Sequence, residues 1–298
     1  MAAVERRMTV REAWRATEQR FLRAKLHYGH GTHNARDEAA WLVCHVTHQP
    51  FDDLAASLDR MLTARESSRL DAITTRRITT RVPLAYLIHE AWLGDHRFYV
   101  DRRVIVPRSF IAELLPEGLD PWLPKRQPSA VLDLCTGSGC LAILAALVYP
   151  QAQVDGVDLS TPALAVAGRN VSDYRLSRRV RLVHSDLFNE LGGRRYDLII
   201  SNPPYVNAAS MRRLPDEYRH EPMRALAGGR DGLDLVRRIV ATAADHLTPR
   251  GILVLEIGHN RAAMENAYPR LPLVWLSTSA GDEFVCLLRR EDLPAKDR

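Results

Sequence analysis

Ser201-Asn202-Pro203-Pro204-Tyr205 is the segment whose residue types and spacing are best suited to chemistry. It closes an apolar run, Leu198-Ile199-Ile200, that reads as a buried strand. Alone, Asn-Pro-Pro is a strand terminator and turn. The functional reading starts from acceptors. The side-chain oxygen of Asn202 and the carbonyl of Pro203 can each accept one N–H of a planar NH2 group. An amide nitrogen is a poor nucleophile because its lone pair is shared with the carbonyl. Held in line with an activated methyl carbon, at roughly 3–3.5 Å, it no longer depends on chance encounter. The same two acceptors stabilise the positive charge that develops on it. Pro203 and Pro204 stiffen the backbone and remove competing N–H donors. Tyr205 can stack on the flat amide. No base of tuned pKa is needed before attack, and the proton leaves afterwards.

A site for the methyl donor precedes this box. The turn after an earlier strand is Asp133-Leu134-Cys135-Thr136-Gly137-Ser138-Gly139. Its glycines let the backbone pass close to a ligand, at the carboxyl end of a strand where open α/β sheets bind ligands. GxGxxG is absent, which disfavours a pyrophosphate cradle. Asp158 ends the second strand and can accept both hydroxyls of a ribose. Ser185-Asp186-Leu187 follows the third, where the Asp186 carboxylate can accept from an exocyclic adenine amine. Each acid alone reads as a helix N-cap or a loop residue. Polar groups at three successive strand ends beside a glycine turn describe an adenosine site without phosphates. Such a site suits S-adenosylmethionine, with S-adenosylhomocysteine as product.

These groups require a sheet to bring them together. From Ala130 strands and helices alternate: strands at 131–134, 153–157, 180–183, 197–201 and 251–256, with helices from Leu141 and over 161–170. Repeated βα units predict a parallel sheet covered on both faces. Strands at 273–276 and 284–288 have no helix between them and should pair as an antiparallel edge. Upstream, Trp92-Leu93 and Phe98-Tyr99-Val100 flank Gly94-Asp95, a short hairpin. Leu123-Pro124-Lys125-Arg126-Gln127-Pro128 leads into the first buried strand. The N-terminal part reads as helices. Thr9-Val10-Arg11-Glu12 is a capping box, followed by Val10, Trp14, Phe21 and Leu22 at helical spacing until Gly29 and Gly31. A second helix starts near Asn34, buries Ala40, Trp41, Cys44 and Val46, and ends by Pro50. Asp53 and Thr63 are candidate N-caps for two more.

The whole chain sets outer bounds. Its 298 residues suit one large domain and a smaller one, and 46% apolar residues can bury a sizeable core. No apolar run approaches the roughly 20 residues of a membrane span. Glu5, Arg6, Arg7 and Arg11 stand where a secretory leader would be apolar, so the expected location is the cytoplasm. Cys44, Cys135, Cys140 and Cys286 form neither a CxxC pair nor a zinc spacing, so no metal is expected. The net charge is +5, but the arginines are dispersed among acids, as on a solvated surface rather than a phosphate-tracking groove.

With these residues in view, the chain resembles the N(5)-glutamine S-adenosylmethionine-dependent methyltransferases. The resemblance rests on DLCTGSG from Asp133, on Asp158 and Asp186, and on Asn202-Pro203-Pro204-Tyr205. It implies an α/β fold: a class I (Rossmann-like) methyltransferase domain with a seven-stranded sheet and a small N-terminal helical domain. The expected division is 1–80 for a helical substrate-recognition domain, 81–129 for hairpin and linker, and 130–298 for the methyltransferase domain. Further stretches resemble the branch that methylates large-subunit ribosomal protein L-three: Pro83-Leu84-Ala85-Tyr86-Leu87, Glu90-Ala91-Trp92, Val106-Pro107-Arg108-Ser109, and Leu214-Pro215-Asp216-Glu217-Tyr218-Arg219-His220-Glu221-Pro222. Cys135 stands where the release-factor branch usually has glycine. Carried over, Asp133, Thr136, Gly137, Ser138, Gly139, Asp158, Asp186, Leu187 and Asn202 would form the cofactor site, and Asn202, Pro203, Pro204 and Tyr205 would hold the target amide. Arg108 and Glu221 are candidates near the peptide channel, or equally an ion-pair partner or a cap.

The implied partner is ribosomal protein L-three, free or in a large-subunit assembly intermediate, with no membrane and no sequence-specific nucleic acid. Three rivals differ in partner or class. A release-factor GGQ glutamine methyltransferase shares the chemistry. A nucleic-acid amino-methyltransferase uses the same box on adenine but needs base flipping and a basic groove. A non-catalytic adenosine-binding ribosome-assembly factor would have no need of Asn202 and Tyr205.

Overall fold

The structure is a computed structural model that describes residues 8–117, 119, 121–123 and 127–294. Glu5, Arg6, Arg7 and the Pro124-Lys125-Arg126 stretch therefore lie outside the described residues. The chain divides into two compact units, Met1–Glu90 with Pro215–His220, and Ala91–Leu214 with Glu221–Arg298.

The first unit is helical: α1 (Val10–Ala24), α2 (Ala35–Thr47), α3 (Ala64–Thr80) and α4 (Leu84–Ile88). Two capping boxes start α1 and α3. The hydroxyl of Thr9 accepts from the Glu12 N–H while the Glu12 carboxylate accepts from the Thr9 N–H, and Thr63 and Glu66 do the same. Asn34 caps α2. Asp53 caps nothing. It lies inside a 3-10 turn, Phe51–Asp53, which starts from Pro50, whose ring presets φ for turn entry. Helix α1 buries Val10, Ala13, Thr17 and Phe21, whereas Leu22 is 51% exposed, because it sits one position off that stripe. Helices α1 and α2 stop earlier than their glycine and proline breakers, at Lys25 and His48 in the left-handed conformation. Arg77 is fully buried in this unit. Its Nε donates to Glu38 Oε1 at 2.8 Å, and Glu217, from the returning segment, stands 3.6 Å from its Nη1. Both carboxylates are buried; Arg77 compensates Glu38, and Arg81, with its Nη1 3.2 Å from Glu217 Oε1, shares the second.

The second unit opens with a hairpin, β1 (Ala91–Leu93) and β2 (His96–Phe98), turning through Gly94 at φ 57°. After α5 (Ile111–Leu114) come β3 (Ala130–Leu134), α6 (Cys140–Val148), β4 (Gln153–Asp158), α7 (Thr161–Asp173), β5 (Val180–His184), β6 (Tyr196–Ser201), α8 (Ala208–Met211), α9 (Asp234–His246), β7 (Leu247–Glu256), α10 (Arg261–Ala267), β8 (Val274–Thr278) and β9 (Gly281–Arg289). The last seven strands form one sheet in the order β5-β4-β3-β6-β7-β9-β8. Strands β3 to β7 run parallel; β9 is antiparallel to both β7 and β8, which gives the expected antiparallel edge.

The sheet is covered on both faces, and strand alternation decides which residue meets which layer. Val131, Leu198, Ile200 and Val254 pack with α5 and α6. Leu132, Ile199, Leu253 and Leu255 pack with Val236, Ile239 and Val240 of α9. Helix α6 is apolar all round and buries Leu141, Ile143 and Leu144. Each such side chain contributes about 1.5–3 kcal/mol by leaving water. Among the described residues, no helix is long and apolar enough to cross a membrane.

Candidate active site

Strand β3 has β4 on one side and β6 on the other, so the chain's direction of progress across the sheet reverses there. A crevice outside the carboxyl ends of two such strands is where α/β sheets take ligands. Leu134 and Ser201 are opposite each other in the β3–β6 register. The Ser201 hydroxyl donates to the Leu134 carbonyl at 2.8 Å. The glycine turn and the NPPY box therefore leave the sheet from adjacent points.

Three residues of the turn are left-handed: Cys135 (φ 61°), Gly137 (φ 55°) and Gly139 (φ 79°). For Cys135 that conformation costs about 1–2 kcal/mol, which makes the ring of hydrogen bonds around the turn necessary. The Thr136 N–H donates to Val157 and its carbonyl accepts from Gly139, at 2.9 and 2.8 Å. Asp133 is 1% exposed, and its Oδ2 accepts from the Thr136 hydroxyl at 2.5 Å and from the Ala142 N–H at 3.0 Å. Burial pushes its carboxyl up to about 7. The structure thus sets Asp133 inside the turn, tying it to the start of α6. At Gly139 the left-handed backbone favours glycine, and a Cβ there would also crowd the Ala167 Cβ at 3.1 Å. Ser138 is buried, and its carbonyl accepts from Asn170 Nδ2 at 2.9 Å.

The acids at the next two strand ends are half-buried. Asp158 Oδ2 accepts from the Gly137 N–H at 2.9 Å, and Oδ1 from the Ser160 N–H at 2.8 Å. Burial raises its pKa, and those two donors oppose the rise. The Ser185 N–H donates to the Asp158 carbonyl, which brings Asp186 alongside. Asp186 also accepts from Arg238 of α9 at 2.8 Å. Leu187 is buried and left-handed at φ 52°.

Asn202 is half-buried, and its side chain has no hydrogen-bond partner among the described residues; nor has the carbonyl of Pro203. The far end of the box is pinned instead. The Tyr205 carbonyl accepts from Asn260 Nδ2 at 2.8 Å, and the Val206 N–H donates to Leu226 at 2.8 Å. A Cβ on Gly228 would come 2.6 Å from the Tyr205 Cα. The box therefore leaves two acceptors free on a backbone held from behind.

Arg108 and Glu221 form a bidentate ion pair, Nη1 to Oε1 and Nη2 to Oε2, both at 2.6 Å. The Glu221 side chain is fully buried and also accepts from the Val106 N–H at 2.9 Å. The two residues thus pair with each other, Glu221 from a buried position and Arg108 from a partly exposed one. Two residues escaped sequence reading altogether. Glu256, at the end of β7, is 0% exposed and accepts from Ser109 Oγ at 2.6 Å and the Phe110 N–H at 2.9 Å. Asn170 clamps Tyr99 by two hydrogen bonds and Ser138 by a third. The readable signal for Glu256 was position, an acid ending a buried strand beside β6; Asn170 offered none.

Residues 116–215 match the model described as methyltransferase small domain, and residues 15–88 the one described as PrmC N-terminal domain. The ribosomal protein uL3 glutamine methyltransferase of Neisseria meningitidis serogroup B is 54% identical over 292 residues, covering 98% of this chain and 96% of its own. The chain belongs to the ribosomal protein uL3 glutamine methyltransferase family. The family member of Burkholderia pseudomallei is 55% identical, with 96% of each chain covered. Among solved structures, the hMettl16 catalytic domain in complex with MAT2A 3'UTR hairpin 1 superposes with a TM-score of 0.52 at 15% identity, over 80% of this chain and 86% of that one. That likeness shows the class I fold alone. Membership makes the chain a methyltransferase and meets the expectation of the ribosomal-protein branch.

Proposed function

We propose that this member of the family transfers a methyl group from S-adenosylmethionine to the side-chain amide nitrogen (N5) of a glutamine in ribosomal protein uL3. The observation that carries the reading is the side chain of Asn202, without a hydrogen-bond partner among the described residues, beside the glycine turn at the reversal of strand order. Asn202 and the Pro203 carbonyl accept the two N–H groups of the target amide, and Tyr205 flanks its plane. A fixed pair of acceptors stabilises the charge that develops on nitrogen without reorganising during the reaction.

The residues beside the box fit an adenosyl ligand. The left-handed turn 135–139 brings backbone rather than side chain to the crevice. Asp158 offers a half-buried carboxylate for ribose hydroxyls, and Asp186 one for the adenine amine. These carboxylates would repel phosphates, which argues for a nucleoside ligand rather than a nucleotide. Bound there, S-adenosylmethionine supplies a methyl group activated by its sulfonium, and S-adenosylhomocysteine is the product. Asp133 and Thr136 hold the turn in shape, and Leu187 gives it an apolar wall.

The substrate is uL3 as a free protein or within a large-subunit assembly intermediate, met in the cytoplasm. Tritiated methyl transfer with uL3, a release factor and DNA offered in parallel tests the reading. Label on a glutamine of uL3 alone is expected. Label on the release factor would overturn the partner, and label on DNA the substrate class.

A further inference from the structure

The turn 256–260, which follows β7, meets Tyr205 at three places. Glu256 Oε1 lies 3.5 Å from the Tyr205 hydroxyl. Gly258 is left-handed at φ 55°, and a Cβ there would fall 2.5 Å from Tyr205 Cε2, so the tyrosine ring rests on a bare backbone. Asn260 Nδ2 donates to the Tyr205 carbonyl at 2.8 Å and to the Ile257 carbonyl at 2.9 Å. Hydroxyl, ring and carbonyl of one residue are thus all held by five consecutive residues of another strand end. On its other oxygen Glu256 accepts from the Ser109 hydroxyl and the Phe110 N–H. The ionised carboxylate can accept from all three of these groups at once.

We propose that the turn 256–260 positions Tyr205, and through it the amide-holding box, with ionised Glu256 as the positioning residue. This rests on the reading of Asn202 to Tyr205 as the reaction site. The carbonyl of Pro203 is two residues from Tyr205, so a tyrosine released from the turn lets that acceptor drift from the line of attack. Burial pushes the Glu256 carboxyl up to about 7, which puts its ionisation within the working range of a rate measurement. The groups that face it are Ser109 and Arg108 ahead of α5 and Tyr205 on the box. His259 of its own turn packs on Phe284 instead.

The test is single-turnover methyl transfer by the full chain against pH, with cofactor affinity by calorimetry and folding by thermal melting. The wild-type single-turnover rate should rise with pH through about 7. In Glu256→Gln that limb should vanish, with the single-turnover rate down about 100-fold, the cost of a displacement of about 1 Å, and cofactor affinity unchanged. A limb due to Asp133 would persist in this variant, so its persistence overturns the proposal. Tyr205→Phe keeps the ring and removes only the hydroxyl, and serves if Glu256→Gln does not fold. It should also lose the limb; a wild-type profile in Tyr205→Phe overturns the proposal. The double variant should be no slower than the slower single one, and additive losses would show that the two residues act apart. Full activity in Asn202→Ala would remove the reaction-site reading first. An inactive Asn202→Ala beside a wild-type Glu256→Gln would remove the positioning role alone.

Discussion

The hydroxyl of Ser201 donates to the carbonyl of Leu134 across paired strands, at 2.8 Å. That bond joins the last residue of β6 to the last residue of β3, and the next residues are Asn202 and Cys135. Distance between the box proposed to hold the amide and the glycine turn is therefore set by strand pairing, which does not depend on loop conformation.

Replacing Asn202 by Ala removes one of the two acceptors proposed for the target amide. Among the described residues that side chain makes no hydrogen bond, so the fold should be kept. Methyl transfer is expected to fall by about 10²–10³-fold, as for loss of one preorganised hydrogen-bonding group. Cofactor affinity should remain, measured by calorimetry. Near-normal turnover would remove the assigned role.

Asp158→Ala should weaken cofactor binding through two losses. The proposed ribose acceptor goes, and the Gly137 and Ser160 N–H groups lose their partner, at about 1–3 kcal/mol for each buried group left unsatisfied. Asp158→Asn, which keeps one acceptor oxygen, should lose less. An unchanged dissociation constant in Asp158→Ala would show that the ribose lies elsewhere.

Asp133 and Glu256 predict a pH dependence of stability. Both carboxyls are raised to about 7 in the folded protein, from 3.8 and 4.5. Between those limits the native state holds protons that the unfolded chain has released, so stability falls as pH rises and levels off above about 7. Asp133→Asn cannot ionise, and its amide oxygen can still accept from Thr136 and Ala142. Its melting temperature should fall less than wild type across this interval. An identical slope would show that Asp133 does not titrate there.

The Arg108–Glu221 pair should behave as a buried ion pair. Arg108→Met strands a fully buried carboxylate and should cost about 3–5 kcal/mol in denaturant unfolding. Arg108→Lys keeps the charge but loses the two-pronged geometry, and should fall between. Adding Glu221→Gln to Arg108→Met should restore part of the loss. A double variant as unstable as the sum of the singles would mean that the two do not interact.

What the sequence determined by itself is everything carried by local rules. Strand and helix alternation after Ala130 follows from apolar runs punctuated by glycine and proline, and it predicts the parallel sheet. The Thr9 and Thr63 caps follow from hydroxyl-to-backbone spacing within one turn. The places of the NPPY box and of Asp158 at a strand end were legible because each follows a buried run. The structure alone decided which strand lies beside which, and so which ends share a crevice: β3 between β4 and β6 is a matter of long-range pairing. It also decided that Asp133 points into its own turn, that Glu221 closes on Arg108, and that Glu256 reaches Ser109 and Tyr205. Glu221 and Glu256 are buried acids whose partners are far away in sequence, like the Glu38–Arg77 pair of the helical unit. Burial makes such a group costly unless a donor arrives from another element. Only the packed core places that donor.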